Sequence, residues 1–505
     1  MEKIAIIDLG SNSARLVLVN ILEGGYFVVF DELKETVRLG QDMEWDGFLK
    51  PPRIAQTIKT LKMFRRLCDA NGITKIFAYA TSAVRRAKNQ KSFLDEVAMT
   101  CGLKIKVLSK EEQATLVYQG VINSMDIPKG FIMDIGGGST QFIYYNRRNL
   151  IAYETLPFGA VTLTELFKND SLLPEERAEK VERFIGEHLA KIPWLSHVEP
   201  DTQFVGVGGS FRNLGRISRM VKKYPFDMSH NYVMSADEFI TDIYNTIKTL
   251  DLDKTTKIKG LSSGRADIFP SALSAIKAVV DYMHFDKITV SGSGLREGAM
   301  FRYAVPITME RPLSDVLGHS LQTLTHYFDI NAQHAEHVYF LSMQLYKQLK
   351  VLHKLPRAYV KVLRVAAILH DSGMRIKFYD HQYHSSYIIL NSNLYGISHK
   401  DLVMSAFVAA GHRKASFASG DLMRYRSMFT DEDAEAIKKL SVILRIAESF
   451  DRSMSGLITG LNCDVLGDSV IMKTETEGDC SLEIKDALQA APDFKKSFGK
   501  NLEIL

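Results

Sequence analysis

One short pattern occurs twice in this chain and constrains the fold more than any other feature. A run of apolar residues ends on an aspartate, a glycine-containing turn follows, and a second apolar run begins. The first copy places Asp8 before the turn at residues 9–13, and the second places Asp134 before the turn at residues 135–140, 126 residues later. Because strand–turn–strand patterns are typical of hairpins, we predict two lobes that each open with the same hairpin.

These two turns have the composition of a phosphate-binding site. Glycine allows the backbone to approach a phosphate closely, so that successive N–H groups point at one anion. An aspartate would repel the phosphate directly, so Asp8 and Asp134 are better suited to hold Mg²⁺ or a water molecule. One glycine-rich turn is weak evidence for phosphate binding. Two such turns with the same acid in the same register predict that a phosphate chain is bound from both sides.

The rest of the chain changes character near residue 305. Before that point, further strand–turn units occur at residues 204–210 and 287–294; after about residue 310, long helical patterns dominate, and the last fifty residues return to short strand-like runs. We therefore predict four domains. They are lobe I at 1–125, lobe II at 126–305, a helical domain at 306–455 and a small appendage of helix and strand at 456–505.

Bulk properties exclude several classes of protein. The 505 residues contain 46% hydrophobic and 24% charged residues, which is the composition of a globular chain. No apolar run is long enough to span a bilayer, no secretory signal opens the sequence, and four scattered cysteines indicate neither a disulfide framework nor a zinc knuckle, so we expect a cytoplasmic protein without a membrane partner. A net charge of +4 disfavours nucleic acid as a partner. The basic stretch from Arg212 to Lys223 favours a solvated face over a binding track.

Six segments in a fixed order carry a resemblance to a known family. The sequence is similar to the exopolyphosphatase–guanosine pentaphosphate phosphatase (Ppx/GppA) family, a branch of the actin, sugar kinase and heat-shock ATPase superfamily. The resemblance implies an α/β fold with two actin-like (ribonuclease H-like) lobes, and the Mg²⁺-dependent hydrolysis of terminal phosphates from polyphosphate or guanosine pentaphosphate (pppGpp). The segments are Asp8–Ser13, Ala80–Arg85, Asp134–Thr140, Gly206–Gly209, Arg265–Asp267 and Gly294–Gly298.

The turns and the resemblance together assign roles in the cleft. Asp8 and Asp134 are the expected Mg²⁺ ligands, and Asp134 is also counted among the catalytic residues. The expected phosphate-binding residues are Ser11, Asn12, Ser13, Arg85, Gly136, Gly137, Gly138, Ser139, Thr140, Gly208, Gly209 and Ser210.

Two positions depart from the family pattern. Gln113 occupies the position of the usual catalytic glutamate, and Gln141 replaces a second acid after the glycine turn. An amide orients water but cannot accept its proton, so these residues, with the neighbouring Glu112, predict a slow or retuned enzyme. The alternative is a cleft that binds phosphate chains without hydrolysing them.

A second group of residues lies in the helical domain. His337, the pair His370-Asp371 and Asp451 follow the order and flanking pattern of an HD-domain metal phosphohydrolase. The resemblance implies that these four side chains hold a second divalent metal, because imidazole and carboxylate ligands suit a metal that activates water. A second metal or phosphate contacts are the alternatives for His384 and His412, and neither role is assigned to them. The alternative is a scaffold that has lost its metal.

Three functions therefore remain open from the sequence. We favour an exopolyphosphatase acting in the cleft, and pppGpp is the alternative substrate. We also expect a homodimer. The added C-terminal domain favours polyphosphate as the substrate, because its basic residues would extend the binding surface for a long chain. The other functions are a nucleotide phosphohydrolase in the HD-like domain and a non-catalytic protein that binds polyphosphate or an alarmone. A kinase is disfavoured because no insertion for an adenosine pocket is evident.

Overall fold

The computed structural model describes residues 2–168, 171–306, 308–413 and 423–505. The chain divides into two compact units, one reaching to Val316 and the other beginning at Leu317. The first unit contains two β-sheets, and the second is mainly helical.

The first sheet of the first unit has five strands in the spatial order β3-β2-β1-β4-β5. Strands β1 to β3 form an antiparallel meander, and β4 and β5 add to the other side of β1 in parallel. Ile4 to Ile7 are buried on both faces of β1, which explains why its sequence is a continuous apolar run. The strands are β1 (Glu2–Leu9), β2 (Ser13–Ile21), β3 (Phe27–Thr36), β4 (Lys75–Ala80) and β5 (Ile105–Val107).

The second sheet repeats this arrangement and adds one strand. Its order is β10-β11-β9-β6-β7-β8, with an antiparallel meander from β6 to β8 and parallel neighbours β9 and β11 on the other side. The repeated sequence pattern thus folds into the same topology twice. The strands are β6 (Gly130–Ile135), β7 (Thr140–Asn146), β8 (Asn149–Leu156), β9 (Gln203–Val207), β10 (Tyr232–Ser235) and β11 (Lys287–Val290).

Helices cover these sheets and fill two separate hydrophobic cores, one for each lobe. A π-helical stretch at Phe239–Tyr244 joins two short α-helices. The α-helices are α1 (Pro51–Ala70), α2 (Ser82–Arg86), α3 (Gln90–Cys101), α4 (Lys110–Ile122), α5 (Ala160–Leu166), α6 (Pro174–Leu189), α7 (Gly209–Val221), α8 (Ala236–Glu238), α9 (Asn245–Ile247), α10 (Leu252–Thr255), α11 (Phe269–Met283) and α12 (Leu295–Ala304).

Helix α4 is held in place at both ends. At its start, the Ser109 hydroxyl accepts from the Glu112 N–H at 3.0 Å, and the Glu112 carboxylate accepts from the Ser109 N–H at 3.0 Å. Further along, α4 packs against α12 so closely that a Cβ at Gly120 would lie 2.0 Å from the Gly294 carbonyl oxygen. Only glycine fits there, and this contact holds α4, whose first turn carries Gln113, close against the start of α12.

The second unit is helical and ends with a small sheet of order β12-β13-β14. The predicted fold class, α/β lobes followed by a helical region and a small β appendage, is confirmed, while the HD-like character of the helices stays a prediction. None of the helices in the described ranges has both the length and the hydropathy that crossing a bilayer requires. The elements are α13 (Val316–Tyr327), α14 (Ala332–Gln348), α15 (Lys350–His353), α16 (Val360–Leu369), α17 (His381–Asn391), α18 (His399–Ala410), α19 (Asp431–Ser449), β12 (Ile458–Val465), β13 (Ser469–Thr476), α20 (Ser481–Leu488), α21 (Ala491–Phe498) and β14 (Asn501–Ile504).

Candidate active site in the interlobe cleft

The two glycine turns face each other across a cleft in the first unit. Both turns close with the same hydrogen bond, from Gly10 N–H to the Ser13 carbonyl at 3.1 Å and from Gly136 N–H to the Ser139 carbonyl at 2.9 Å. They approach so closely that a Cβ at Gly138 would lie 2.7 Å from the Ser11 hydroxyl oxygen. The two lobes therefore present matching backbone turns to one enclosed space.

Most of the predicted cleft residues line this space. Asp8 and Asp134 lie at the ends of β1 and β6, at equivalent positions of the two sheets, and Gln113 reaches the cleft from the first turn of α4. The predicted phosphate-binding residues in the cleft lining are Ser11, Asn12, Ser13, Gly136, Gly137, Gly138, Ser139, Gly208 and Gly209.

Three predicted phosphate-binding residues stand behind the lining. The Thr140 hydroxyl donates to the Phe158 carbonyl at 2.8 Å, and the Ser210 hydroxyl accepts from Arg265 at 3.3 Å. Arg85 donates to the Leu108 carbonyl at 2.8 Å and to the Gln113 amide oxygen at 3.1 Å. Arg85 thus orients Gln113 directly, which the sequence did not indicate.

Two predicted catalytic residues also lie outside the cleft lining. Gln141 is fully buried, and its amide nitrogen donates to the Lys110 carbonyl at 3.3 Å and the Thr155 hydroxyl at 3.2 Å. Glu112 is occupied by the helix cap described above and by an ion pair with Lys106 at 2.5 Å. Rotating Glu112 into the cleft would cost both contacts, so of these positions only Gln113 faces the reaction space.

The two aspartates form the acidic floor of the cleft. Burial raises the pKa of Asp8, although Arg296 and Arg15 oppose the effect. Burial, followed by repulsion from the Asp8 charge, raises the pKa of Asp134 to about 6, while Arg212 and Arg265 act in the opposite direction. Two repelling carboxylates in one pocket are a suitable donor set for a divalent cation, because the ion would remove the repulsion and Mg²⁺ prefers carboxylate oxygens.

Four arginines that the sequence analysis assigned no role surround this floor: Arg15, Arg212, Arg265 and Arg296. Burial lowers the pKa of Arg212 to about 9, with Arg15 and Arg296 adding repulsion, and burial lowers that of Arg265 to about 10. Within the described residues no carboxylate forms an ion pair with Arg212, whose guanidinium donates to the Gly292 carbonyl at 3.3 Å. Arg15 and Arg296 both pair with Glu32, at 3.6 and 2.6 Å, so the positive charge available to an anion in the cleft is that of Arg212 and Arg265.

The sequence contained partial signals for these arginines. Arg265 and Arg296 lie inside two of the six family segments, and Arg212 begins the basic stretch that was interpreted as a solvated face. The structure places Arg212 in the cleft instead. A glutamate of the same segments, Glu297, also lines the cleft; burial acts against its ionisation, but Arg296 and the Gly294 N–H keep the pKa of Glu297 below its ordinary value.

Comparison with known proteins supports the arrangement of this unit. A model of the Ppx/GppA phosphatase family matches residues 17–305, and a model of domain III of the Ppx/GppA phosphatases matches residues 317–487. The chain belongs to the Ppx/GppA phosphatase family. The predicted family is thereby confirmed, and with it a phosphatase fold whose first unit is actin-like.

Solved structures agree with this assignment. A Ppx/GppA family member from Aquifex aeolicus is 28% identical with a TM-score of 0.52, and the match covers 61% of this chain and 99% of that one. A structure described as an exopolyphosphatase from Cytophaga hutchinsonii has 24% identity and a TM-score of 0.55, covering 59% of this chain and 97% of that one, and shows the same fold. Each match covers nearly all of the relative and about three fifths of this Ppx/GppA phosphatase.

In the second unit of this Ppx/GppA phosphatase, three of the four predicted metal ligands lie close to a different histidine. His334, one helical turn before His337 on α14, has its Nδ1 2.7 Å from Asp451 and its Nε2 3.7 Å from Asp371. His370 Nε2 lies 3.5 Å from the Asp371 carboxylate. His334, His370 and Asp371 are near enough for one ion.

His337 uses both ring nitrogens for contacts within the protein. Its Nδ1 lies 3.2 Å from the other Asp451 oxygen, and its Nε2 lies 2.9 Å from the Ile458 carbonyl oxygen. The hydrogen bond to Asp451 raises the pKa of His337, which favours an imidazolium that donates from both nitrogens. The predicted role of His337 as a ligand stays a prediction, and the geometry favours His334.

Proposed function

We propose that this Ppx/GppA phosphatase hydrolyses the terminal phosphate of inorganic polyphosphate in the cleft of its first unit, in a Mg²⁺-dependent reaction. One observation carries the proposal: two aspartate–glycine turns from the two lobes face each other in a cleft that four arginines also line. A phosphate chain would give Arg212 and Arg265 an anionic partner, and its terminal group would meet the backbone N–H groups of both turns.

Each group in the cleft then has a chemical task. Asp8 and Asp134 would hold Mg²⁺, which when bound neutralises charge on the terminal phosphate. The turn amides hold the equatorial phosphate oxygens, and Arg212, Arg265 and Arg296 hold oxygens further along the chain. Gln113, fixed by Arg85, orients the attacking water by its amide. Phosphoryl transfer through a loose transition state depends mainly on such positioning, so an amide at this position is compatible with turnover.

The proton of the attacking water needs an acceptor other than Gln113. The carboxylates that line the cleft are Asp8, Asp134 and Glu297, and the phosphate oxygens themselves are the remaining acceptors. Glu297 is engaged with the Gly294 N–H at 2.8 Å and lies 3.5 Å from Arg296. We therefore expect a slow enzyme in which general-base assistance is weak and electrostatic positioning supplies most of the rate.

The decisive experiment is phosphate release from long-chain polyphosphate with Mg²⁺ and with EDTA, with pppGpp as a parallel substrate. The proposal predicts Mg²⁺-dependent release from polyphosphate at a higher kcat/KM than from pppGpp. Preferential release from pppGpp would overturn the substrate assignment and leave the cleft chemistry intact. Release from neither substrate, with tight binding of polyphosphate, would overturn the hydrolase and favour a binding protein.

Arg212→Met is expected to raise the KM for polyphosphate about fivefold with little change in kcat. The substitution keeps the length of the side chain and removes one charged contact to the substrate, which is worth roughly 1 kcal/mol when several others remain. Steady-state kinetics with polyphosphate of defined length measures the effect.

The matched control is Arg216→Met, one helical turn later on α7, because Arg216 is exposed and outside the cleft lining. Its KM should equal that of the wild type. Equal KM values for Arg212→Met and Arg216→Met would show that Arg212 does not contact the substrate.

Activation by Mg²⁺ is expected to weaken below pH 6. Asp134, whose pKa lies at about 6 in the metal-free protein, binds a proton below that pH and a metal ion above it. Proton competition at one site costs about tenfold in apparent metal affinity for each pH unit below the pKa. Mg²⁺ titrations of phosphate release at pH 5, 6 and 7.5 measure the midpoint. A midpoint that does not move between pH 7.5 and pH 5 would exclude Asp134 as a ligand.

A further inference from the structure

A buried histidine of the first unit joins the end of α4 to the loop before α12. His230 lies just before β10 and exposes 9% of its surface. Its Nε2 is 3.1 Å from the carbonyl oxygen of Ser124, two residues after α4, and its Nδ1 is 3.1 Å from the backbone nitrogen of Gly292, in the loop between β11 and α12. His230 is not part of the cleft lining, so no task in the proposed reaction falls to it directly.

These two contacts fix the position of the hydrogen on the ring of His230. A backbone N–H only donates, so Nδ1 must be the acceptor, and a carbonyl oxygen only accepts, so Nε2 must carry the hydrogen. Burial lowers the pKa of His230 to about 4, although the hydrogen bond to Ser124 acts in the opposite direction. The ring is therefore neutral at physiological pH and bridges one backbone acceptor and one backbone donor.

The contact with Gly292 continues to the cleft. The carbonyl oxygen of Gly292 accepts a hydrogen bond from the guanidinium of Arg212 at 3.3 Å. This is the one hydrogen bond that the Arg212 side chain makes among the described residues, so the orientation of the guanidinium in the metal-free and substrate-free cleft depends on this carbonyl group.

Gly292 needs an external support to hold its carbonyl group in place. A glycine has no side chain to limit its backbone rotation. The ring of His230 supplies two restraints: it accepts from the Gly292 N–H, and it packs so closely that a Cβ at Gly292 would lie 3.0 Å from the Cβ of His230. The position of Gly292, and with it the direction of Arg212, is thus coupled to His230.

The rest of the same loop is braced by its own side chains. The Ser291 hydroxyl donates to the Ser293 carbonyl at 2.7 Å and accepts from the Ser293 N–H at 3.1 Å. The Gly294 N–H donates to the Glu297 carboxylate at 2.8 Å at the start of α12. Neither brace includes the N–H or the carbonyl group of Gly292, so His230 restrains a part of the loop that these contacts leave out.

We propose that His230 is a positioning residue for substrate binding: by holding the Gly292 N–H, it keeps the Gly292 carbonyl where it directs Arg212 into the cleft. The inference rests on the proposed function, in which Arg212 holds oxygens of the phosphate chain. His230 contacts neither the phosphate chain nor the metal ion in this scheme. Its bond to Ser124 fixes the ring against the end of α4, the helix whose first turn carries Gln113.

Two substitutions separate the two contacts of the ring. Asparagine places its amide oxygen where Nδ1 lies, so His230→Asn keeps the acceptor for Gly292 and loses the bond to Ser124. Glutamine places its amide nitrogen where Nε2 lies, so His230→Gln keeps the bond to Ser124 and loses the acceptor for Gly292. Each variant loses one hydrogen bond, and a role in stability alone therefore predicts the same effect from both.

The proposal predicts different effects on the KM for polyphosphate of defined length. His230→Gln should raise this KM by up to about fivefold, the change expected for Arg212→Met, with little change in kcat. His230→Asn should keep the KM of the wild type even if its unfolding temperature falls. Steady-state kinetics and thermal unfolding of the full chain measure the two quantities separately.

A double-mutant cycle tests whether the effect passes through Arg212. Substitutions at independent sites change the free energy of binding additively, whereas coupled residues do not. Adding His230→Gln to Arg212→Met should therefore raise the KM no further. The control is His188→Gln, a histidine of α6 outside the cleft lining whose Nδ1 lies 2.8 Å from the Phe184 carbonyl oxygen. It should leave the KM unchanged in both backgrounds.

The outcomes distinguish a failure of this inference from a failure of the proposed function. Equal KM values for His230→Asn and His230→Gln, with a raised KM in Arg212→Met, would overturn the role of His230 and leave the cleft assignment intact. An unchanged KM in Arg212→Met would overturn both. If the wild type releases no phosphate, the Kd for the same polyphosphate replaces KM in every comparison. If His230→Gln does not fold, a raised KM in His230→Asn still overturns the inference, because that variant keeps the acceptor for Gly292.

Discussion

Asp134→Asn is expected to reduce phosphate release from polyphosphate by roughly 10²–10³-fold, the range found when one preorganised electrostatic contact is removed from an active site. The amide has nearly the same shape as the carboxylate but cannot hold Mg²⁺ with a charge, and it leaves Asp8 as the only aspartate on the cleft floor. The measurement is phosphate release at saturating Mg²⁺ and pH 7.5, with kcat and KM determined separately.

The same variant should be more stable than the wild type when no metal is present. Burial and the Asp8 charge hold the pKa of Asp134 at about 6, above the value of an unfolded aspartate. Its protonated form is therefore favoured by folding, and stability is lost as the pH rises through about 6. At pH 7.5 the neutral amide removes this cost, so thermal unfolding in EDTA should occur at a higher temperature.

Together, these two readouts separate lost chemistry from lost structure. An exposed aspartate of the same lobe, Asp237, provides the control, and Asp237→Asn should change neither the rate nor the unfolding temperature. If Asp134→Asn retains wild-type activity, the chemistry does not occur in the cleft. If it loses activity and also unfolds at a lower temperature, the loss has a structural cause.

The sequence was most informative where the chain repeats itself. The paired turns at Asp8 and Asp134 predicted two sheets that open alike, because a local pattern of strand, glycine and strand dictates a hairpin without distant contacts. The backbone positions of the two glycine turns followed from the same local pattern. Contacts between residues far apart in the sequence were much harder to predict from it.

Arg212 shows why these contacts were missed. It is one of five basic residues on a helix and the loop that follows it, and only the fold shows that its face of α7 turns towards the cleft whereas Arg216 faces solvent. Arg85 and Gln141 are the reverse case, since the motif predicted contact with substrate and the structure places both behind the cleft lining. The spacing of a motif predicts which helix or strand carries a residue. It does not predict whether the side chain lines the cleft or lies behind the lining.

The histidines of the second unit illustrate the same limit. His334 and His337 are three residues apart on one helix, and both contact Asp451, so sequence order alone could not distinguish the ring that faces Asp371 from the ring that faces Ile458. His381 and His412 are brought to Asp371 by the packing of α17 and α18, which has no counterpart in local sequence.

Gln113→Glu is expected to raise kcat at least about tenfold. A carboxylate in this position can accept the proton of the attacking water, and general-base assistance contributes about 10²–10⁴-fold in enzymes. Arg85, 3.1 Å from the present amide oxygen, would keep the introduced carboxylate ionised at neutral pH and also lower its basicity, so the gain should fall towards the lower end of that range. KM should change little, since the substrate contacts are unaltered.

Gln119→Glu is the matched control for this gain. It makes the same chemical change on the same helix, but Gln119 lies outside the cleft lining, so its kcat should equal that of the wild type. The pH profile supplies a second check. The rate of Gln113→Glu should fall at acidic pH as the introduced carboxylate is protonated, and this fall adds to the weaker Mg²⁺ activation that follows protonation of Asp134. A kcat for Gln113→Glu no higher than that of Gln119→Glu would contradict the base position. The rate-limiting step would then be a step other than proton transfer, and the amide of Gln113 would serve only to position the attacking water.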